Sequence, residues 1–153
     1  MAVALIAVVA PQTFAQQPRK VTLVTLPSNL QKTLATSGRE GRFTFIVFTK
    51  EDAPATTEML QAVQQGASRR GAQTSVVTAR VNDPAARELV ARFGIGRAPM
   101  PVTVAVAPNG AVTGVFPKTF SEENMDAAIV TPTMMRCMKM LQEKKLVFVL
   151  VTS

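Results

Sequence analysis

The stretch that most constrains the fold of this chain runs from residue 93 to 116 and reads FGIGRAPMPVTVAVAPNGAVTGVF. An X-Pro pair, Met100-Pro101, stands directly before an apolar run over residues 102–107. An Asn-Gly turn then leads into a second short run over residues 111–115. Asn-Gly between two β-prone runs predicts a hairpin, because both residue types tolerate positive φ. A proline is tolerated at the first residue of a strand, where its missing N–H costs the sheet no hydrogen bond.

Upstream of the hairpin, short β-prone runs alternate with helical segments. Runs over residues 21–26, 43–48 and 74–77 predict strands, and 43–48 (FTFIVF) is apolar enough for a central strand buried on both faces. Predicted helices follow Ser28, Pro54 and Pro84, and a last one spans residues 122–129 behind the cap Ser121. The predicted order is β-α-β-α-β-α-β-β-α, which favours a parallel core with an antiparallel hairpin at one side.

This order, with an X-Pro pair opening the hairpin, resembles the thioredoxin-like superfamily. The resemblance is to the variant whose hairpin reads P-T-x-x-x-x-D-P-D-G, and residues 101–110 read PVTVAVAPNG here. It covers residues 20–130 and implies one thioredoxin-like domain with three α/β/α layers and a mixed sheet. It further implies a C-terminal β-hairpin plus helix and a cis peptide bond before Pro101.

The residues that carry redox chemistry in such domains are absent from this sequence. Active thioredoxins carry CxxC where the helix after the central strand begins, but this chain has one cysteine, Cys137, and no histidine. Matching Pro54 to the motif's proline places Asp52 and Ala55 where the two cysteines would stand. We therefore predict no catalytic, cofactor-binding or metal-binding residues and interpret the chain as redox-inactive. Asp52 before Ala-Pro is typical of a helix N-cap, with a catalytic carboxylate as the alternative.

The resemblance also implies a peptide-binding surface that does not depend on cysteines. In thioredoxin-like proteins the backbone before the cis-proline pairs with an extended substrate segment, beside the loop that holds the active site. The corresponding candidate residues here are Lys50, Glu51, Asp52, Ala53, Pro54, Met100 and Pro101. The alternative is that Pro101 only shapes the fold.

The two ends of the chain carry further signals. Residues 1–18 are uncharged, with an apolar core too short to span a bilayer and a small-x-small site at residues 13–15. This pattern predicts a signal peptide over residues 1–15, although the usual positive n-region is missing. We expect export to the periplasm or the extracellular space and no integral membrane segment in the mature chain. A buried N-terminal strand or helix is the alternative.

The C-terminal segment repeats a pattern found earlier in the chain. Residues 145–153 (KLVFVLVTS) align with residues 42–50 (RFTFIVFTK), and a predicted helical segment precedes each run. We therefore predict a helix-strand extension over residues 131–153 that begins a second thioredoxin-like domain. Chance similarity between two apolar runs is the alternative.

A formal net charge of +7 indicates either an anionic partner or a solvated basic surface. Nucleic acid is disfavoured, because no aromatic residues interleave with the arginines as a stacking platform for bases. Three functions remain open. The first is an exported, redox-inactive module that binds a protein or peptide or serves a structural role. The second is part of a thiol-disulfide redox protein whose CxxC lies in another domain. The third is an envelope protein that binds anionic material.

Overall fold

The computed structural model describes residues 30–149. Outside this range lie the predicted signal peptide, the predicted strand over residues 21–26 and Ser28, the predicted cap of the first helix. The helices are α1 (Leu30–Arg39), α2 (Pro54–Arg70), α3 (Arg87–Arg92), α4 (Glu122–Ala128) and α5 (Pro132–Gln142). The strands are β1 (Phe43–Thr49), β2 (Thr74–Arg80), β3 (Val102–Val106) and β4 (Val112–Pro117). Short 3-10 turns precede β2 and α3.

The four strands form one mixed sheet in the order β2-β1-β3-β4. β1 pairs with β2 in parallel and with β3 in antiparallel register, and β3 pairs with β4 as a hairpin. All seven residues of β1 are buried. The predicted central strand and the predicted hairpin are therefore confirmed.

The sheet lies between two layers of helices. Alternate side chains of β1 point to opposite faces because the side-chain period of a strand is two. Phe45 and Val47 pack in one apolar cluster with Met59 and Val63 of α2, which α4 also joins. Ile46 and Phe48 pack in a second cluster with residues of α1 and α3. The predicted three-layer α/β/α architecture is confirmed.

Two helix starts are fixed by the local signals that the sequence carries. The Ser121 hydroxyl accepts a hydrogen bond from the Asn124 N–H, and the Asn124 side chain accepts one from the Ser121 N–H, completing a capping box. The Asp83 carboxylate accepts a hydrogen bond from the Ala85 N–H at the start of the 3-10 turn that precedes α3. These polar caps satisfy amide groups that a helix leaves unpaired at its first turn.

Helix α5 packs against the hairpin side of the domain. Its Met135 and Met138 are half-buried against the α2/α4 face of the core. The side-chain amide of Gln142 forms two hydrogen bonds with the backbone of Val112, accepting from the N–H at 2.9 Å and donating to the C=O at 2.7 Å. The first half of the predicted extension is therefore a helix that contacts the domain.

The segment after α5 forms no strand over residues 145–149, and the remaining residues of the predicted strand lie outside the described range. Leu146 and Phe148 are 88% and 89% exposed. A β-prone run forms a strand only where another strand supplies hydrogen-bond partners. Within the described chain, no strand pairs with residues 145–149. The division of the chain at residue 131 stays a prediction. Between residues 30 and 149, no helix is both long enough and apolar enough to cross a membrane.

Candidate functional site

The two halves of the predicted surface meet at one end of the sheet. Phe48 near the end of β1 lies opposite Val102 at the start of β3. The sheet therefore brings together, at this one end, the loop that follows β1 and the Met100-Pro101 pair that precedes β3. Antiparallel pairing of these strands brings together residues that are about fifty positions apart in the sequence.

The Met100-Pro101 pair provides an open backbone position at this edge. Its peptide bond is cis, and Pro101 is buried. The Pro101 carbonyl accepts a hydrogen bond from the Lys118 N–H at 2.8 Å, which ties it to the hairpin. Within residues 30–149, the backbone amide and carbonyl of Met100 form no hydrogen bond. Pro101 is thus held by the fold, whereas Met100 keeps one backbone donor and one acceptor without a partner in the described part of the chain.

The loop from Lys50 to Pro54 leads from β1 into α2. Lys50 and Glu51 are exposed, and the Glu51 carbonyl accepts a hydrogen bond from the Thr56 hydroxyl at 3.1 Å. Pro54 occupies the first turn of α2, where its missing N–H has no intrahelical partner to lose. The Thr56 hydroxyl therefore ties the loop to the first turn of α2.

The interpretation of Asp52 as the N-cap of α2 is wrong. Ala53 is the N-cap, and no side chain caps this helix. The Asp52 carboxylate instead accepts a hydrogen bond from the Arg80 guanidinium at 2.7 Å, as part of an exposed ion pair. Because Ala53 holds the N-cap position, the Asp52 side chain lies one residue outside the cap, where it reaches Arg80 at the end of the neighbouring strand.

Arg80 is the site residue that sequence reasoning missed. It is the last residue of β2 and lies beside Thr49, the last residue of β1, in parallel register. The sequence contained a signal for Arg80, because the carboxyl ends of neighbouring parallel strands lie at the same end of the sheet. A basic residue ending one strand and an acidic loop following the other are therefore close in space.

A pocket of about 230 Å³ adjoins this ion pair. Asp52 and Arg80 line it together with the hydroxyl-bearing Thr56 and the apolar Leu60. The hydroxyl oxygen of Thr78, which also lines the pocket, is buried and has no hydrogen-bond partner among the described residues. The pocket combines apolar walls, a charge pair and a free hydroxyl, a combination that accommodates an amino-acid side chain.

The chemistry available at this edge is binding through the backbone and an ion pair. The one cysteine, Cys137, lies on α5 rather than in the loop, and it is half-buried. Among residues 30–149, no group of three or more His, Cys, Asp or Glu side chains is arranged to hold a metal ion. The loop offers no thiol to attack a disulfide.

Solved structures with a similar fold include two thioredoxins. The germline-specific thioredoxin Deadhead from Drosophila melanogaster aligns with a TM-score of 0.54 and 19% sequence identity, over 71% of this chain and 99% of that one. Thioredoxin O2 from Arabidopsis thaliana, in its oxidized state, aligns with a TM-score of 0.50 and 8% identity, over 68% of this chain and 88% of that one. No protein-family model matches the sequence, and no curated protein sequence matches it. The strand order, the cis Met100-Pro101 bond and these alignments together show that this chain has a thioredoxin-like fold, in a sequence without CxxC.

Proposed function

We propose that this protein is a redox-inactive thioredoxin-like module that binds an extended segment of another protein. The observation that carries the proposal is the free backbone amide and carbonyl of Met100, held beside the buried cis-proline. An extended peptide that pairs with these groups would lie as a short strand beside Met100, at the end of the sheet where β3 begins. Recognition by strand addition draws affinity from the main chain and specificity from pockets for alternate side chains.

The neighbouring loop supplies the groups that would select the peptide. The Asp52–Arg80 ion pair is exposed and offers one charge of each sign. The adjacent pocket accepts a side chain from the bound segment. Because the loop contributes no thiol, binding at this surface leads to no disulfide exchange.

N-methylated peptides provide a test of strand addition. A peptide that binds the protein is selected from a random heptapeptide library, and its backbone is then N-methylated at alternate residues. Methylation at the residues whose backbone N–H groups point towards the protein should abolish binding, because it removes the donors that pair with the Met100 backbone. Methylation of the intervening residues is the matched control and should leave the affinity unchanged.

Hydrogen exchange locates the binding edge on the protein. Exchange of the Met100 amide should slow when the unmodified peptide binds, while the amide of Gly96, in the loop that follows α3, should be unaffected. Equal affinity for both sets of methylated peptides, or protection elsewhere with none at Met100, would contradict the proposal.

We further propose that the protein acts outside the cytoplasm, with residues 1–15 removed as a signal peptide. The support is the uncharged apolar start and the small-x-small site before Gln16. N-terminal sequencing of the protein recovered from the medium or the periplasm should begin at Gln16. Recovery only from the cytoplasm, with Met1 retained, would contradict this part of the proposal.

A further inference from the structure

A second groove lies at the opposite end of strand β3 from the peptide-binding edge. It has a volume of about 550 Å³ and runs between α1, α3 and the turn that joins β3 to β4. Leu34 and Leu89 form part of its apolar lining, and Arg39 and Arg92 contribute charged side chains. The β3 strand alone separates the two sites by about 15 Å, at roughly 3.3 Å per residue.

Two cationic groups converge over the turn at Gly110. A side-chain β-carbon placed on Gly110 would be 3.8 Å from a guanidinium nitrogen of Arg92 and 3.9 Å from the ammonium nitrogen of Lys139. The two cationic nitrogens therefore lie close to the same side of the Gly110 α-carbon. Gly110 has a φ of +80°, a conformation that favours glycine, and its lack of a side chain lets a bound group approach the turn between the two cations.

The charges around the groove are only partly balanced by carboxylates. Within residues 30–149, neither Arg39 nor Arg92 has a carboxylate within ion-pair distance. Glu88 lines the groove, and its carboxylate accepts a hydrogen bond from the side chain of Gln31. Lys139 pairs with Glu143 at 3.4 Å, but Lys145 also binds that carboxylate at 2.7 Å. The groove therefore keeps an excess of positive charge.

The position of Arg92 is fixed by its own neighbours. Its guanidinium carbon lies 5.7 Å from the centre of the Phe93 ring, and one of its nitrogens donates a long hydrogen bond, 3.5 Å, to the Gly110 carbonyl. Arg39 and Arg92 each end a helix, where the helix dipole favours a cation. The dipole and the hydrogen bond to the Gly110 carbonyl account for the position of Arg92, and Lys139 of α5 approaches the same residue.

We propose that this groove binds a phosphate group, with Arg92 and Lys139 contacting its oxygens above Gly110 and Arg39 adding charge at the groove. A phosphate carries up to two negative charges and several acceptor oxygens, so it can bridge two cationic donors. It also relieves the repulsion between the converging cations. The apolar lining accommodates a small organic body attached to the phosphate.

The test is a titration of the full protein with inorganic phosphate at constant ionic strength, monitored by NMR. The Gly110 amide signal should shift and saturate with phosphate but not with chloride. Arg92→Gln and Lys139→Gln should each weaken binding about tenfold or more, since each removes a hydrogen bond to a charged group. Arg87→Gln is the matched control, because this exposed arginine of α3 lies outside the groove, and it should bind as tightly as the unchanged protein.

Three results would overturn the proposal. One is a shift of the Gly110 signal that chloride produces as fully as phosphate does. Another is equal weakening by Arg87→Gln, which would indicate a diffuse charge effect. The third is unchanged affinity in both Arg92→Gln and Lys139→Gln while thermal melting shows them folded.

Vesicles containing phosphatidic acid identify the source of the phosphate. If the protein sediments with these vesicles and Arg92→Gln abolishes the sedimentation, the site binds a lipid headgroup. Binding of free phosphate alone assigns it to a small ligand.

Discussion

At the scale of single residues, helix caps formed between neighbours in the sequence were predictable, whereas the ion pair of Asp52 with a distant residue was not. Ser121 and Asp83 bond to amide groups two or three positions ahead, so a short window of sequence contains the whole interaction. Asp52 has the same local signal, but its carboxylate binds Arg80 from the neighbouring strand. The pairing of β1 with β2 decides between the two outcomes, and a cap pattern contains no information about it.

Gly38 illustrates a residue whose role only the structure reveals. It lies near the end of α1, and a β-carbon placed on it would be 2.7 Å from the backbone carbonyl oxygen of Pro108. In an isolated helix, Gly→Ala would stabilise by roughly 0.8–1.0 kcal/mol. Here we expect Gly38→Ala to lower the free energy of unfolding by about 1 kcal/mol, because displacing backbone costs more than the helix gains.

Urea denaturation of this variant and of Gly96→Ala checks the prediction. A β-carbon on Gly96 would meet Val90 at 3.8 Å, an ordinary van der Waals distance, so this control should be close to neutral. A stabilised Gly38→Ala variant would show that α1 and the hairpin turn are not in close contact.

At the scale of elements, the sequence predicts the existence of α5 but not where it packs. Its cap Thr131 and the proline at its first position are local signals, and the helix spans Pro132–Gln142. Its Gln142 side chain contacts β4, where it occupies the outward-facing N–H and C=O of Val112. At the other end of β4, Pro117 has no N–H to offer. Both features protect an edge strand against pairing with another chain.

We expect Gln142→Ala to lower the free energy of unfolding by about 1 kcal/mol. The variant loses two hydrogen bonds between the Gln142 side chain and the Val112 backbone. Water replaces them at this exposed position, so the free-energy cost stays near the low end for such bonds. The variant should also self-associate more readily, because the freed backbone of Val112 extends the open edge.

Urea denaturation and analytical ultracentrifugation measure the two effects of Gln142→Ala. Gln65→Ala serves as the control, since this glutamine is an exposed residue of α2 and its side chain makes no hydrogen bond within residues 30–149. Identical behaviour of the two variants would mean that Gln142 does not protect the edge.

At the scale of the whole molecule, the alternation of strands and helices predicted the mixed sheet, and the resemblance to thioredoxin-like proteins implied the three layers. The candidate surface followed from the resemblance, because its two halves meet only through the pairing of β1 with β3. The groove at Gly110 had no sequence signal, since Arg92 and Lys139 come from helices that are far apart in the chain. Long-range convergence of this kind depends on packing, which local patterns do not specify.

The absence of CxxC from this sequence leads to a prediction about the activity of the chain. With dithiothreitol present, it should reduce insulin disulfides no faster than a blank without protein, because the attacking thiolate of the loop is missing. Cys137→Ser is the control for chemistry at the one thiol. Reduction above the blank that persists in this variant would overturn the redox-inactive interpretation.

Two truncations separate the contribution of α5 from that of the segment behind it. A chain that ends after Lys145 keeps the whole helix and its C-terminal backbone bonds, and loses exposed apolar side chains such as Leu146 and Phe148. Its thermal midpoint should be unchanged, and it should aggregate less, because the lost segment is apolar, β-prone and free of proline.

A chain that ends after Val130 also loses Met135 and Met138, which are half-buried against the core, and the bonds of Gln142. At roughly 1.5–3 kcal/mol for each fully buried side chain, two half-buried methionines contribute about 2 kcal/mol. The thermal midpoint should therefore fall by on the order of 10 °C for a domain of this size. Equal midpoints for both truncated chains would show that α5 adds nothing to the domain, and would support the division at residue 131.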